Sequence, residues 1–232
     1  VFPELKLKST WGEPLNRQTF ICYVCGITPY DATHLGHAAT YITFDLINRY
    51  QVLRNRKLNF IENVTDVDDP LLERANRDKV DWRKLAKSQS DLFERDMTAL
   101  HILPPNTYLS VSETIDLVIK GMAALEASNL IYSIEGDVYY DINSHLQELP
   151  LDIDSAIKIF SERGGDPDRV GKRHKLDPIL WRRNVPGEPG WESPYGFGRP
   201  GWHIECSVIA ISGVDVTSNL NRYWICKAAE VI

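Results

Sequence analysis

The feature that most constrains this chain is an abrupt change of pattern near residue 25. Phe20-Ile21-Cys22-Tyr23-Val24-Cys25 is apolar at every position. A strand reads this way when helices cover both of its faces, as in the centre of a parallel sheet. Gly26-Ile27-Thr28-Pro29-Tyr30-Asp31 breaks it, and a helix is expected over 35–54. The apolar residues Leu35, Ala39, Ile42, Leu46, Tyr50 and Leu53 recur there at intervals of 4, 3, 4, 4 and 3, which makes one apolar helical face. Thr33 or Asp31 is available to cap its start. A second strand, at 58–63, follows a basic turn. Strand, helix, strand is a βαβ unit, so the connection is expected to be right-handed and the sheet parallel.

Two more helices are expected, over 70–77 and 82–100, the second ended by Pro104-Pro105. The pattern then changes. A helix over 112–128 leads to short strands at 131–134 and 137–141, joined by Glu135-Gly136, a hairpin signal. Polar, glycine-containing chain follows. The reading is an α/β domain whose first half is 1–105, an inserted segment at 106–175, and a second half at 176–232 that resumes the sheet at 178–181. Between Pro186 and Gly201 lie four prolines and five glycines, the composition of a long ordered loop or lid. A helix is expected over 202–211, and a short helical pattern in 214–232.

Lys and Arg total 26 against 32 Asp and Glu, a net charge of −6, which argues against a basic nucleic-acid module. No apolar run approaches the roughly 18 residues of a membrane-spanning helix, and residues 1–11 are too polar for a secretory signal. Four cysteines in a chain this long do not make a disulfide framework. The expected compartment is the reducing cytoplasm, with thiols either free or bound to metal.

Thr33-His34-Leu35-Gly36-His37 carries the strongest chemical signal. It sits where a strand's carboxyl end passes into a helix, the edge at which open parallel sheets bind ligands. A helix start offers unpaired N–H groups and a positive dipole end, both suited to phosphate. Two imidazoles three apart share a face, and Gly36 permits close approach of a flat ring or a backbone. Cys22 and Cys25 have CxxC spacing, but on a strand residues three apart point to opposite faces, so the two cannot share one metal. Cys22 is expected in the core and Cys25 at the strand's functional end. Trp202 and Cys206 are i, i+4 on the expected helix and share a face. In Asn63-Val64-Thr65-Asp66-Val67-Asp68-Asp69, Asp68 and Asp69 precede Pro70 and suit a helix cap, whereas Thr65 and Asp66 are better placed for a ligand. Trp191, Tyr195 and Trp202 suit either lid packing or a substrate wall.

Together these segments, with Gly198-Arg199-Pro200-Gly201-Trp202-His203-Ile204-Glu205-Cys206, resemble class I aminoacyl-tRNA synthetase catalytic domains, within them the cysteinyl branch. That branch holds cysteinyl-tRNA synthetases and the cysteine ligases of mycothiol biosynthesis. The stretch from Gly26 to Tyr41 is similar to the ligases, and Pro70 stands where the synthetases usually carry Lys. The resemblance covers about residues 20–210. It implies a class I synthetase-type Rossmann fold, the parallel sheet of the HIGH-signature nucleotidyl transferases, with an inserted α+β connective segment. It also implies Zn²⁺ bound by Cys25 and Cys206 and gripping the substrate thiolate. Gly26, Thr28, Thr65 and Trp202, with Cys25, would surround the cysteine, and Thr33, His34, Gly36 and His37 would bind ATP·Mg²⁺, the two histidines acting in catalysis. Zinc suits such selection, because serine and cysteine are nearly isosteric and zinc prefers sulfur.

The implied reaction joins cysteine, through its adenylate, to the amine of glucosaminyl-inositol. Partners are then small molecules, with no tRNA and no membrane, and the protein is expected to be a monomer. The alternatives are a cysteinyl-tRNA synthetase or an inactive fragment that binds zinc or nucleotide. Past about residue 210 the family pattern fades. The Gly-rich adenosine stretch, the His-His-Glu segment and the Lys-Met-Ser-Lys loop are missing, and only faint scraps remain at 213–216 and 221–224. The expectation is a piece, or joined pieces, of a longer protein.

Overall fold

A computed structural model describes residues 19–149 and 151–212. The pattern in 214–232, Cys226 and the two family-like scraps lie outside the described residues. Strand β1 (Thr19–Val24) leads through a short loop to helix α1 (Leu35–Leu53), and β2 (Lys57–Val64) pairs parallel beside β1. Helices α2 (Asp69–Asp78) and α3 (Trp82–Ala99) then cross over to β3 (Thr107–Ser110), which pairs parallel with β2. The order β1-β2-β3 is that of successive crossovers. No strand was expected at 107–110; four half-buried residues give too short a signal.

Helix α4 (Ile115–Ala127) follows, then the hairpin β4 (Ile131–Ile134) and β5 (Asp137–Tyr140). Glu135 and Gly136 both take positive φ, 52° and 92°, as a two-residue turn of this hand requires. Helix α5 (Ile153–Glu162) comes next, in the polar, glycine-containing chain to which the sequence reading assigned no element. Strand β6 (Ile179–Arg183) then pairs antiparallel with β5, and β7 (Gly198–Pro200) pairs antiparallel with β6. The expectation that the parallel sheet resumes at 178–181 is therefore overturned: this strand belongs to a second sheet of order β4-β5-β6-β7. Its apolar Leu180 and Trp181 are both buried, and burial on two faces suits either sheet. The proline- and glycine-rich stretch is loop through residue 197, as the ordered-loop alternative held, and only its end is a buried strand. Helix α6 (Trp202–Ser212) closes the described chain.

Each face of the parallel sheet has its own core. Cys22, Val24 and Phe60 pack with Tyr41 of α1 and with Phe93 and Met97 of α3. Tyr23, Ile61 and Val111 pack with Cys206, Ile209 and Ala210 of α6. A third cluster joins α4, the second sheet and Ile204 of α6. Helix α6 thus touches both sheets.

Helix α1 departs from its pattern. The apolar face read from the sequence points outward: Leu35 is 87% exposed and Leu46 63%. The buried stripe is Tyr41, Asp45, Asn48 and Gln51. Two of these polar groups hold neighbouring loops: Asp45 accepts the Leu103 N–H at 2.8 Å, and Gln51 accepts from Arg56 at 3.1 Å. Among the described residues, no helix is long and apolar enough to cross a membrane.

Candidate active site

The carboxyl ends of β1 and β2 carry the site. Beyond Val24 and Glu62 the strands no longer pair residue by residue. A buried asparagine stitches them instead. Asn63 Oδ1 accepts from Tyr23 Oη at 2.7 Å and from the Gly26 N–H at 2.9 Å, while its Nδ2 donates to Thr65 Oγ1 at 3.1 Å. The Thr65 N–H donates to the Ile27 carbonyl at 3.0 Å. A Cβ at position 26 would lie 1.5 Å from the Asn63 carbonyl oxygen, so only glycine lets the chains close here. Asn63 and Tyr23 were not singled out from the sequence. The available signal was an uncharged polar residue inside an otherwise buried strand.

This clamp fixes Cys25, which lies between Tyr23 and Gly26. Cys22 packs in the core on the opposite face, as the strand argument requires. Helix α6 brings Cys206 to the same place: the Cys25 and Cys206 sulfurs are 3.4 Å apart across 181 residues of sequence. Trp202, one turn earlier, packs in the same cluster. Two ligands of a tetrahedral zinc with Zn–S bonds near 2.3 Å stand about 3.8 Å apart, so the pair has nearly the separation that two such ligands need. The same two thiols could instead close a disulfide. Among the described residues no third His, Cys, Asp or Glu completes a metal cluster. The donor pair therefore fits a zinc ion as part of its ligand set.

At the start of α1, His34 is itself the cap, in place of Thr33 or Asp31. Its Nδ1 accepts the Gly36 N–H at 3.0 Å, and His37 Nδ1 accepts the His34 N–H at 3.3 Å. The rings stack with centroids 4.0 Å apart. Because each Nδ1 accepts, Nε2 carries the proton in the neutral form. Each ring can therefore donate one N–H to an anion without being charged. Thr33 lies half-buried in the turn before them.

The remaining side of the site is acidic. Asp68 caps α2 and accepts from Thr28 Oγ1 at 3.4 Å. Asp66 accepts the N–H and the hydroxyl of Ser112, so its carboxylate anchors the turn before α4. Asp69 is held by Arg182 and by the buried Arg199, which also grips Glu188 at 3.0 Å. Glu205 is fully buried beside these groups. Burial first, then the neighbouring Cys206 and Asp68, push its carboxyl well above the usual range, against the pull of Arg199. Burial likewise raises Asp66 and Asp68.

The catalytic domain model of class I (C) tRNA synthetases matches residues 12–221. An L-cysteine:1D-myo-inositol 2-amino-2-deoxy-alpha-D-glucopyranoside ligase 2 of Corynebacterium jeikeium is 53% identical over 197 residues, covering 82% of this chain and 48% of that protein. A ligase of the same name, without the numeral, from Mycobacterium ulcerans is 50% identical over 228 residues, covering 92% of this chain and 56% of that protein. The chain thus spans about half the length of the curated relatives it matches. Among solved structures, Mycobacterium tuberculosis methionyl-tRNA synthetase bound by methionyl-adenylate aligns with a TM-score of 0.58 and 15% identity, over 89% of this chain and 50% of that one. The fold is that of class I aminoacyl-tRNA synthetases, and the chain belongs to the family of class I (C) tRNA synthetase catalytic domains.

Proposed function

We propose that this chain carries the cysteine-activating part of an ATP-dependent ligase that joins cysteine to the amine of glucosaminyl-inositol. The observation that carries the reading is the meeting of the Cys25 and Cys206 sulfurs at 3.4 Å just beyond β1, the strand whose next element is the helix begun by His34 and His37. The names of relatives at about half identity support the acceptor. Cys25 and Cys206 would hold Zn²⁺, which supplies a soft Lewis acid for the substrate thiolate. Trp202, Thr28 and Thr65 would wall the amino acid, and the acidic side would favour its ammonium group. In the first step the cysteine carboxylate attacks the α-phosphorus of ATP·Mg²⁺ and pyrophosphate leaves. The Nε2–H groups of His34 and His37, with the helix start and Thr33 and Gly36, would steady the phosphates as charge builds. In the second step the sugar amine attacks the acyl carbon, an amide forms, and AMP leaves.

The second reading, cysteinyl-tRNA synthetase, has the family description in its favour. The test is AMP release by the full-length protein given ATP and cysteine, with either glucosaminyl-inositol or tRNA. Release that depends on the amino sugar is expected. Release that needs tRNA and ignores the sugar overturns the proposal.

A further inference from the structure

Residues 28–33 carry the chain from the clamp at Gly26 to the start of α1. Pro29 is buried, but beyond it packing gives out: Tyr30 is 43% exposed, and Asp31 and Ala32 are exposed as well. The segment's own bonds are local. The Tyr30 N–H donates to the Thr28 carbonyl at 2.8 Å, and the Ala32 N–H donates to Asp31 Oδ1, also at 2.8 Å. A turn bonded only to itself has a shape but no fixed place. Arg74 supplies the place. It lies on α2 between Leu71 and Ala75, which pack with Leu85 and Ala86 of α3, so its backbone is firmly mounted. Its Nη1 donates to the Tyr30 carbonyl and, at 3.2 Å, to Asp31 Oδ1. Its Nε donates at 3.3 Å to Asp78, one turn on, which aims the guanidinium. Among the described residues no other side chain outside the segment hydrogen-bonds to residues 29–33. The two contacts differ in weight. The Asp31 side chain is 71% exposed, and an ion pair there is worth little. The Tyr30 carbonyl takes a charge-assisted bond from a side chain only 25% exposed, which is the stronger hold.

We infer that Arg74 is a positioning residue for the nucleotide: through the Tyr30 carbonyl it fixes how the chain enters α1, and so where the ring N–H groups of His34 and His37 stand. The inference rests on the proposed ATP-dependent activation and adds to it a residue on a helix remote in sequence from both histidines. The clamp and this brace act on different parts of one loop. Asn63 and Thr65 hold Gly26 and Ile27, next to Cys25, whereas Arg74 holds Tyr30 and Asp31, ahead of His34. Releasing the brace therefore disturbs the phosphate end and leaves the sulfur end in place. A loop freed in this way must be ordered again at each binding event. The ordering entropy of one backbone residue is about a tenfold factor in affinity.

The test is cysteine-dependent pyrophosphate exchange by the full-length protein, with Arg74→Met, Arg74→Lys and Asp31→Asn set against wild type. Methionine keeps an apolar stem and removes the donors. Lysine keeps one charged donor without the fork. Asparagine removes the exposed charge and keeps an acceptor for Ala32. Arg74→Met should raise the KM for ATP about tenfold and leave the KM for cysteine within about twofold. Arg74→Lys should raise the KM for ATP about threefold, and Asp31→Asn by less than about twofold. A merely structural role lowers the active fraction, and with it kcat, but moves neither KM. That result, an equal rise in both KM values, or an Asp31→Asn effect as large as that of Arg74→Met overturns the inference. If Arg74→Met does not fold, Arg74→Lys decides, and an unchanged KM for ATP overturns it. Wild type is assayed first. If it shows no cysteine-dependent exchange, the functional reading fails, and equilibrium dialysis of ATP against the same proteins tests Arg74 alone. A loss of about tenfold in affinity is expected there for Arg74→Met. An unchanged Kd overturns the inference, and a wild type that binds no ATP overturns both.

Discussion

Glu62 lies in the middle of β2, 3% exposed, on the sheet face covered by α1 and α3. Burial pushes its carboxyl from the ordinary 4.5 up to about 8; the Tyr41 hydroxyl opposes the rise and Glu94 adds to it. The folded protein then holds a proton that the unfolded chain releases above about pH 4.5. The contribution is complete below the unfolded value and is lost as pH climbs through the folded one. At about 1.4 kcal/mol for each tenfold change in proton affinity, the loss approaches about 5 kcal/mol above pH 8. Glutamine has the same shape and no charge to bury. Glu62→Gln should match wild type in acid and exceed it by a growing margin as pH rises. Between pH 6 and pH 8 the gap should widen by about 2 kcal/mol. Urea denaturation of both proteins at each pH unit measures it, and the difference between the two cancels every other titrating group. A gap that stays constant across this range would show that the folded protein keeps Glu62 ionised, and the argument from burial would fail.

Other consequences follow from the same geometry. Gly26→Ala drives a methyl into the Asn63 backbone and should cost at least about 3 kcal/mol in a urea melt. Cys206→Ser in the full-length protein should lose bound zinc by elemental analysis; unchanged content contradicts the ligand pair. Leu46→Gln, on the outward face of α1, should change the stability of this chain by less than about 0.5 kcal/mol. A large loss there would mean that the helix is turned the other way.

Much of the parallel half was legible because its signals are long. The uniformly apolar run from Phe20 to Cys25 gave β1, which lies one residue earlier at each end, and α3 fell within a residue of its expected ends. The face of α1 was not legible. Apolar residues recur on both sides of that helix, and periodicity cannot register that Asp45 and Gln51 are needed inside to hold Leu103 and Arg56. The second sheet was half legible. Its hairpin has a turn dipeptide, but the partner of β6 is a choice among strands far apart in sequence, and the residues of β6 do not encode it. At the site, the sequence singled out Cys25 and Cys206 one by one, and only packing makes them neighbours. Asn63 was overlooked because its role is to close a gap between two backbones.

The two halves of the candidate site reach the sheet from opposite sides. Helix α1, with His34 and His37 at its start, packs on the face that bears Cys22 and Val24. Helix α6, with Cys206, packs on the face that bears Tyr23. Both are tied to the carboxyl end of β1: α1 follows it in the chain, and the Cys206 sulfur lies 3.4 Å from that of Cys25 just beyond it. Gly26 and Ile27, which Asn63 and Thr65 hold down, lie in the chain between Cys25 and that helix start. On the proposed function, this separation suits a substrate held at its thiol whose carboxylate is the nucleophile, because the proposed metal and phosphate ends are carried by helices packed on different faces of one sheet. It also makes the clamp at Gly26 the place where a small displacement would misalign both ends at once.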